Sequence, residues 1–121
     1  MRRTLVDPGA VDEVLARIDA DEQPDRVVLR RAVLHLLGQL AERAPGHGIE
    51  VRVPPHGAIQ CGQGPKHTRG TPPNVVEMDA TTWVLLATGR LSWDRANFSA
   101  SGVRADLRPW LPLAGEPSSA A

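Results

Sequence analysis

Apolar side chains recur at helical spacing through the first third of the chain and at strand spacing through the middle, so helices come first and a sheet follows. Val11, Val14, Leu15 and Ile18 fall at i, i+3, i+4 and i+7, one stripe of an amphipathic helix. Asp7 offers an N-cap oxygen to the first unpaired N–H groups, and Pro8 suits the first turn, where its missing N–H costs nothing. The acidic stretch from Asp19 to Asp25, broken by Pro24, reads as a solvated connection. A second helix is predicted from about Arg26 to Ala44, with Leu29, Val33, Leu36, Leu37, Leu40 and Ala44 on its apolar stripe. Arg30, Arg31, Gln39, Glu42 and Arg43 lie outside the stripe, His35 stands at its boundary as a solvent-edge or hydrogen-bonded residue, and Pro45-Gly46 stops the helix.

From Ile49 the period changes to two. Ile49, Val51 and Val53 alternate with Glu50 and Arg52, the pattern of a half-buried strand. Pro54 to Gly57 is turn material, and Ala58 to Cys61 reads as the returning strand of a hairpin. Gly62 to Pro73 is too rich in glycine and proline for a helix or central strand, and Asn74 to Met78 resumes as a strand. Asp79 caps a helix through Trp83, Leu86 and Ala87 that Thr88-Gly89 ends. Ser92 is expected to cap a short turn of helix, Ser99 to Ala105 to form a weak last strand, and Asp106 to open a short helix toward Trp110. A hairpin followed by alternating helices and strands implies an α+β fold, a mixed or antiparallel sheet of about four to five strands with helices packed on one face. The expected organisation is one domain over 1–121: helices over 8–44, a strand-rich core over 48–105, and a short C-terminal helix and tail over 106–121.

Composition narrows the function classes. The apolar fraction of 41% is ordinary for a globular domain. A formal net charge of zero provides no long-range attraction for a nucleic-acid duplex or an anionic membrane, so no nucleic-acid partner is expected. The single cysteine, Cys61, precludes an internal disulfide and fits a reducing compartment. No apolar run is long enough to cross a bilayer. Asp7, Pro8 and Asp12 interrupt the N-terminus as a signal peptide would not, so a cytoplasmic location is expected. Every Lys/Arg cation but Lys66 is arginine, which reads as genome composition rather than a phosphate-binding device.

Chemistry-bearing residues gather in one segment, Gln60 to Asn74. No carboxylate occurs from Val51 through Val76, whereas Arg52, His56, Lys66, His67 and Arg69 do. Exposed backbone N–H groups in a glycine-rich loop beside Lys66 and Arg69 suit a small anion such as carboxylate or phosphate. Gln60, Cys61, Lys66, His67, Thr68, Arg69 and Asn74 are therefore the loop candidates for ligand binding, against the plainer reading of the segment as a crossover connection with solvated cations. No phosphate-loop fingerprint is present. Cys61 and His67 would form a thiolate–imidazole pair only if Cys61 were exposed with a lowered pKa; the alternative is a small buried hydrophobe. No metal site is expected from Cys61, His67, His56 and His47, whose spacings are not those of zinc ligands. Trp83, Trp93 and Trp110 supply nearly all the aromatic mass and are expected to pack helices onto the sheet, with Trp83, Leu86 and Trp93 as candidates for lining a cavity. No nucleophile–base set, paired carboxylates or dinucleotide motif occurs, so neither a catalytic residue nor a cofactor is assigned.

The run Val75-Val76-Glu77-Met78-Asp79-Ala80-Thr81-Thr82-Trp83, followed by Leu86-Ala87-Thr88-Gly89-Arg90-Leu91-Ser92, resembles the sterol carrier protein type 2 pattern. There a strand leads into a helix ending in a leucine-alanine-threonine-glycine corner. Ala100 to Leu107 is similar to that family's next strand and helix start, and Leu40 to Gly46 with Val51 to Pro55 looks like its short actinobacterial members. Some of those members are C-terminal domains of mycothiol-dependent maleylpyruvate isomerases. The resemblance covers roughly Arg26 to Leu113. Asn97-Phe98-Ser99 stands where members usually place a glycine and a basic residue, and the sequence after Leu113 is too short for the long helix that helps close the lipid tunnel of larger members.

The resemblance implies a sterol carrier protein-like fold and a small non-catalytic binding module for a lipid or amphiphilic anion. Two alternatives stay open: a homodimerisation or partner-docking domain without a ligand, and an accessory domain related to the mycothiol-dependent isomerases.

Overall fold

The structure is a computed structural model, and it describes residues 5–64 and 74–113. In chain order its elements are α1 (Pro8–Asp19), α2 (Arg26–Arg43), β1 (Ile49–Val53), β2 (Gly57–Cys61), β3 (Val75–Glu77), α3 (Ala80–Ala87) and β4 (Ser99–Ser101). Two 3-10 turns, Trp93–Arg95 and Arg108–Trp110, flank β4.

Each α-helix begins at an aspartate that satisfies free N–H groups. Asp7 accepts from Ala10 N at 3.1 Å, Asp25 from Val27 N and Val28 N at 3.0 and 3.1 Å, and Asp79 from Thr82 N at 2.8 Å. The sheet runs β2-β1-β3-β4. β1 pairs antiparallel with β2 but parallel with β3, and β3 pairs antiparallel with β4. The sheet is therefore mixed.

Residues opposite one another in a ladder share a face, so the register sorts the side chains. Val51 lies opposite Ile59 and Val76, and Ile49 opposite Cys61. Ile49, Val51, Val53, Cys61 and Val76 are all buried beneath the helices. The other face carries Glu50, Arg52, Gln60 and Glu77, where Arg52 Nε meets Glu50 Oε2 at 3.0 Å and its Nη1 meets Glu77 Oε1 at 3.9 Å. Trp83 of α3 is fully buried and donates its indole N–H to Val33 O at 3.3 Å, tying α3 to α2 across the core.

Several local expectations change. Leu29 is only half-buried, while Ala32 lies inside the α2 interface; of the two places expected for His35, the solvent edge or a hydrogen bond, the structure shows the hydrogen bond. The last strand stops at Ser101 because Gly102, with φ of 99°, turns the chain and Ala105 N bonds back to Gly102 O. Ser92 precedes its 3-10 turn without a side-chain capping bond. Asp106 opens no α-helix; its carboxylate accepts from Arg108 N at 2.9 Å at the start of a 3-10 turn. Trp93 packs against Phe98, ring centroids 4.3 Å apart and planes tilted by 49°, rather than pressing a helix onto the sheet.

His35 joins α2 to the start of α1. Its Nδ1 accepts from the backbone N–H of Asp7 at 2.9 Å, which requires the neutral ring, while the Asp7 carboxylate pairs with Arg31 at 2.6 Å. Burial lowers the His35 pKa below the ordinary 6.5, opposed by the nearby Asp7 charge. The folded state thus binds fewer protons at this site than the unfolded chain. The contribution of neutral His35 is complete above pH 6.5 and is lost as pH falls below it. Melting temperature measured against pH is expected to fall on the acid side of that value, and His35→Asn, which keeps a neutral acceptor, is expected to flatten the slope.

Candidate functional site

Beyond the C-terminus of α3 the chain passes through Thr88-Gly89 into the Trp93–Arg95 turn, and the segment 106–113 returns to the same place. Leu113 N bonds to Ala87 O at 2.8 Å and Gly89 adopts φ of 81°, which an L side chain resists. This corner frames a surface groove of about 410 Å3 with Leu86, Leu91, Trp93, Leu111 and Pro112 as its apolar lining. Thr88, Ser92, Asp94 and Arg108 supply its polar edge. The guanidinium of Arg108 holds Asp106 through Nη2–Oδ2 at 2.8 Å and Nε–Oδ1 at 3.1 Å, and stands 3.8 Å from Asp94. These contacts keep the Asp106 carboxyl below the ordinary carboxylate range, the Arg108 side chain contributing most. Leu86 and Trp93, both expected near a cavity, thus lie in one groove. Trp83 lies in the closed core instead.

The loop candidates separate. Lys66, His67, Thr68 and Arg69 lie outside the described residues. Gln60 is exposed on the outer face of β2, where its Oε1 accepts from His47 Nδ1 at 2.7 Å. Cys61 is fully buried on the inner face, and burial pushes its thiol up to about 11, the opposite of what a nucleophilic thiolate requires. A thiol reagent at neutral pH is expected to leave native Cys61 unmodified and to label it stoichiometrically after denaturation; rapid native labelling would overturn this placement.

Asn74 is buried and both ends of its carboxamide are engaged. Nδ2 donates to Gly48 O at 3.0 Å, and Oδ1 accepts from Arg104 N at 2.9 Å. Its own carbonyl accepts from Glu50 N at 2.9 Å. One residue thereby joins the start of β1, the entry to β3 and the turn after β4. Gly62, at the other root of the 62–74 segment, donates its N–H to Ala44 O and accepts from Gly48 N, and lies beside the Trp110 ring. The groove residues Leu111, Pro112 and Arg108, which proximity in sequence does not connect to Leu86, were missed by sequence reading. Among the described residues no group of histidine, cysteine, aspartate and glutamate has the geometry to hold a metal ion.

A family profile described as bacterial SCP ortholog matches residues 25–113. The chain belongs to this sterol carrier protein-like family. No curated protein matches it. The bacterial SCP ortholog region opens at Asp25, the cap of α2, and closes at Leu113, so it contains the whole sheet, α2, α3 and the groove. α1 precedes the matched region and is fastened to it at both ends, by Asp7 to Arg31 and by Asp19 to Arg90 at 2.8 Å. No described helix is long and apolar enough to cross a membrane.

Proposed function

We propose that this sterol carrier-like domain is a small non-catalytic binding module that takes an amphiphilic anion into the groove beyond α3. The observation that carries the reading is the convergence of Leu86, Trp93 and Leu111 on one space of about 410 Å3 with a guanidinium at its edge. That volume falls at the smaller end of the ~300–1,000 Å3 usual for ligand pockets. An apolar tail lying on Leu86, Leu91 and Trp93 leaves water, which supplies the affinity. The head group meets Arg108, which exchanges its long contact with Asp94 for the ligand while Asp106 keeps the side chain oriented. Phe98 packs against the Trp93 ring. By sequence, Lys66 and Arg69 in the acid-free segment remain candidates for binding an anionic head group.

Native mass spectrometry of the protein as purified, then titration of the delipidated protein with fatty acids, acyl-CoAs and sterols, tests the reading. Saturable binding that quenches Trp93 fluorescence and weakens roughly tenfold in Arg108→Gln is the expected result. No saturable response to any of the three classes would overturn it. The charge-state series reads whether the domain is a monomer or a homodimer in the same experiment.

A further inference from the structure

Among the described residues every arginine side chain has a carboxylate or carbonyl partner except Arg26, Arg30 and Arg95. Two of those three lie together. Arg26 and Arg30, one helical turn apart on α2, face the β1–β2 turn and with Val27, Pro55 and His56 line a notch of about 440 Å3. Among the described residues no carboxylate lines it. The N–H groups of Val27 and Val28 are already taken by Asp25, so they do not account for what the two guanidinium groups face. His56 belongs to the turn, with its backbone N–H bonded to Val53 O at 2.8 Å, which fixes where its ring starts. Partial burial lowers its pKa, and the charges of Arg30 and then Arg26 lower it further, so the imidazole stands within the field of two guanidinium groups. Val27 is 65% exposed and, with the exposed Pro55, gives the notch an apolar flank.

We propose that this notch is a second binding site, for a phosphate or carboxylate group held between Arg26, Arg30 and His56. An oxyanion there accepts charge-assisted hydrogen bonds from the guanidinium groups and relieves their mutual repulsion. The apolar flank accommodates a ligand whose anionic group continues into hydrocarbon, either a free phosphorylated or carboxylated molecule or the head group of an anionic lipid. The site stands apart from the groove beyond α3. α2, 18 residues and about 27 Å long, has the notch at its first turn and, at its last, Arg43 donating to the carbonyl of Leu113 beside the groove.

Titration of the His56 ring by NMR, with and without inorganic phosphate at matched ionic strength, reads the site directly. Phosphate is expected to raise the His56 pKa saturably. In Arg26→Gln/Arg30→Gln the pKa should rise without phosphate and respond to it at least about tenfold more weakly. Both side chains are exposed, so an unchanged melting temperature is the control for folding. Sedimentation with phosphatidylglycerol against phosphatidylcholine vesicles separates the sources. Phosphatidylglycerol binding that the double variant loses supports the lipid head group, and a phosphate response without vesicle binding supports the free anion. A His56 pKa indifferent to phosphate, or a phosphate response identical in the double variant, would overturn the proposal. Neither outcome depends on whether the groove beyond α3 binds an amphiphile.

Discussion

Replacing Gly46 by alanine is expected to cost about 3 kcal/mol or more, mainly through backbone strain and overlap, and to lower the melting temperature by roughly 10 °C. Gly46 has φ of 140°, a conformation that L side chains rarely adopt. A Cβ there would overlap the carbonyl of Gly62, whose oxygen accepts from Gly48 N and whose own N–H donates to Ala44 O, so the peptide is held in place. The clash falls where the α2–β1 connection crosses the end of β2, so relief requires the root of the 62–74 segment to move. Gly9→Ala is the internal control. At that position a Cβ meets nothing closer than Asp7 Oδ1 at 3.7 Å, and the substitution should be neutral or slightly stabilising within α1. Thermal melts of the two variants decide the matter: equal melting temperatures would show that the close approach at Gly46 is not rigid.

Asn74→Asp changes the side chain by one atom and is expected to destabilise by about 3 kcal/mol at neutral pH. Oδ1 keeps its bond from Arg104 N, but the second oxygen replaces a donor 3.0 Å from the Gly48 carbonyl. A buried carboxylate then faces a carbonyl dipole, which favours the protonated acid. Its folded pKa is therefore raised above the unfolded value of about 3.9, so the variant is closest to wild type below that pH and loses stability as pH rises through the folded pKa. Denaturant titrations at acidic and neutral pH test this. A deficit independent of pH would mean that the carboxylate reaches water instead of remaining in the Gly48–Arg104 bridge. Because Asn74 frames the candidate loop at its C-terminal root, loss of ligand binding in such a variant would report misplacement of the loop rather than a lost contact.

The amino-acid sequence determined the parts of this protein whose causes act within a few residues. Asp7, Asp25 and Asp79 cap helices through N–H groups two or three positions on, and the helical stripes and the β1 alternation reflect the two backbone periods. The strand–helix–corner pattern from Val75 to Ser92 was legible for the same reason and carried the family. Tertiary structure alone decided what depends on partners far along the chain. The parallel pairing of β1 with β3, the bond from Asp7 to His35 across 28 residues and the two grips of Asn74 across 26 and 30 residues have no local signature. Leu111 beside Leu86, and His56 opposite Arg26 and Arg30, are likewise products of the packed sheet and helices. A side chain's own period tells whether it turns inward; which distant group it then meets is set by strand order and register, and both proposed sites are built from such meetings.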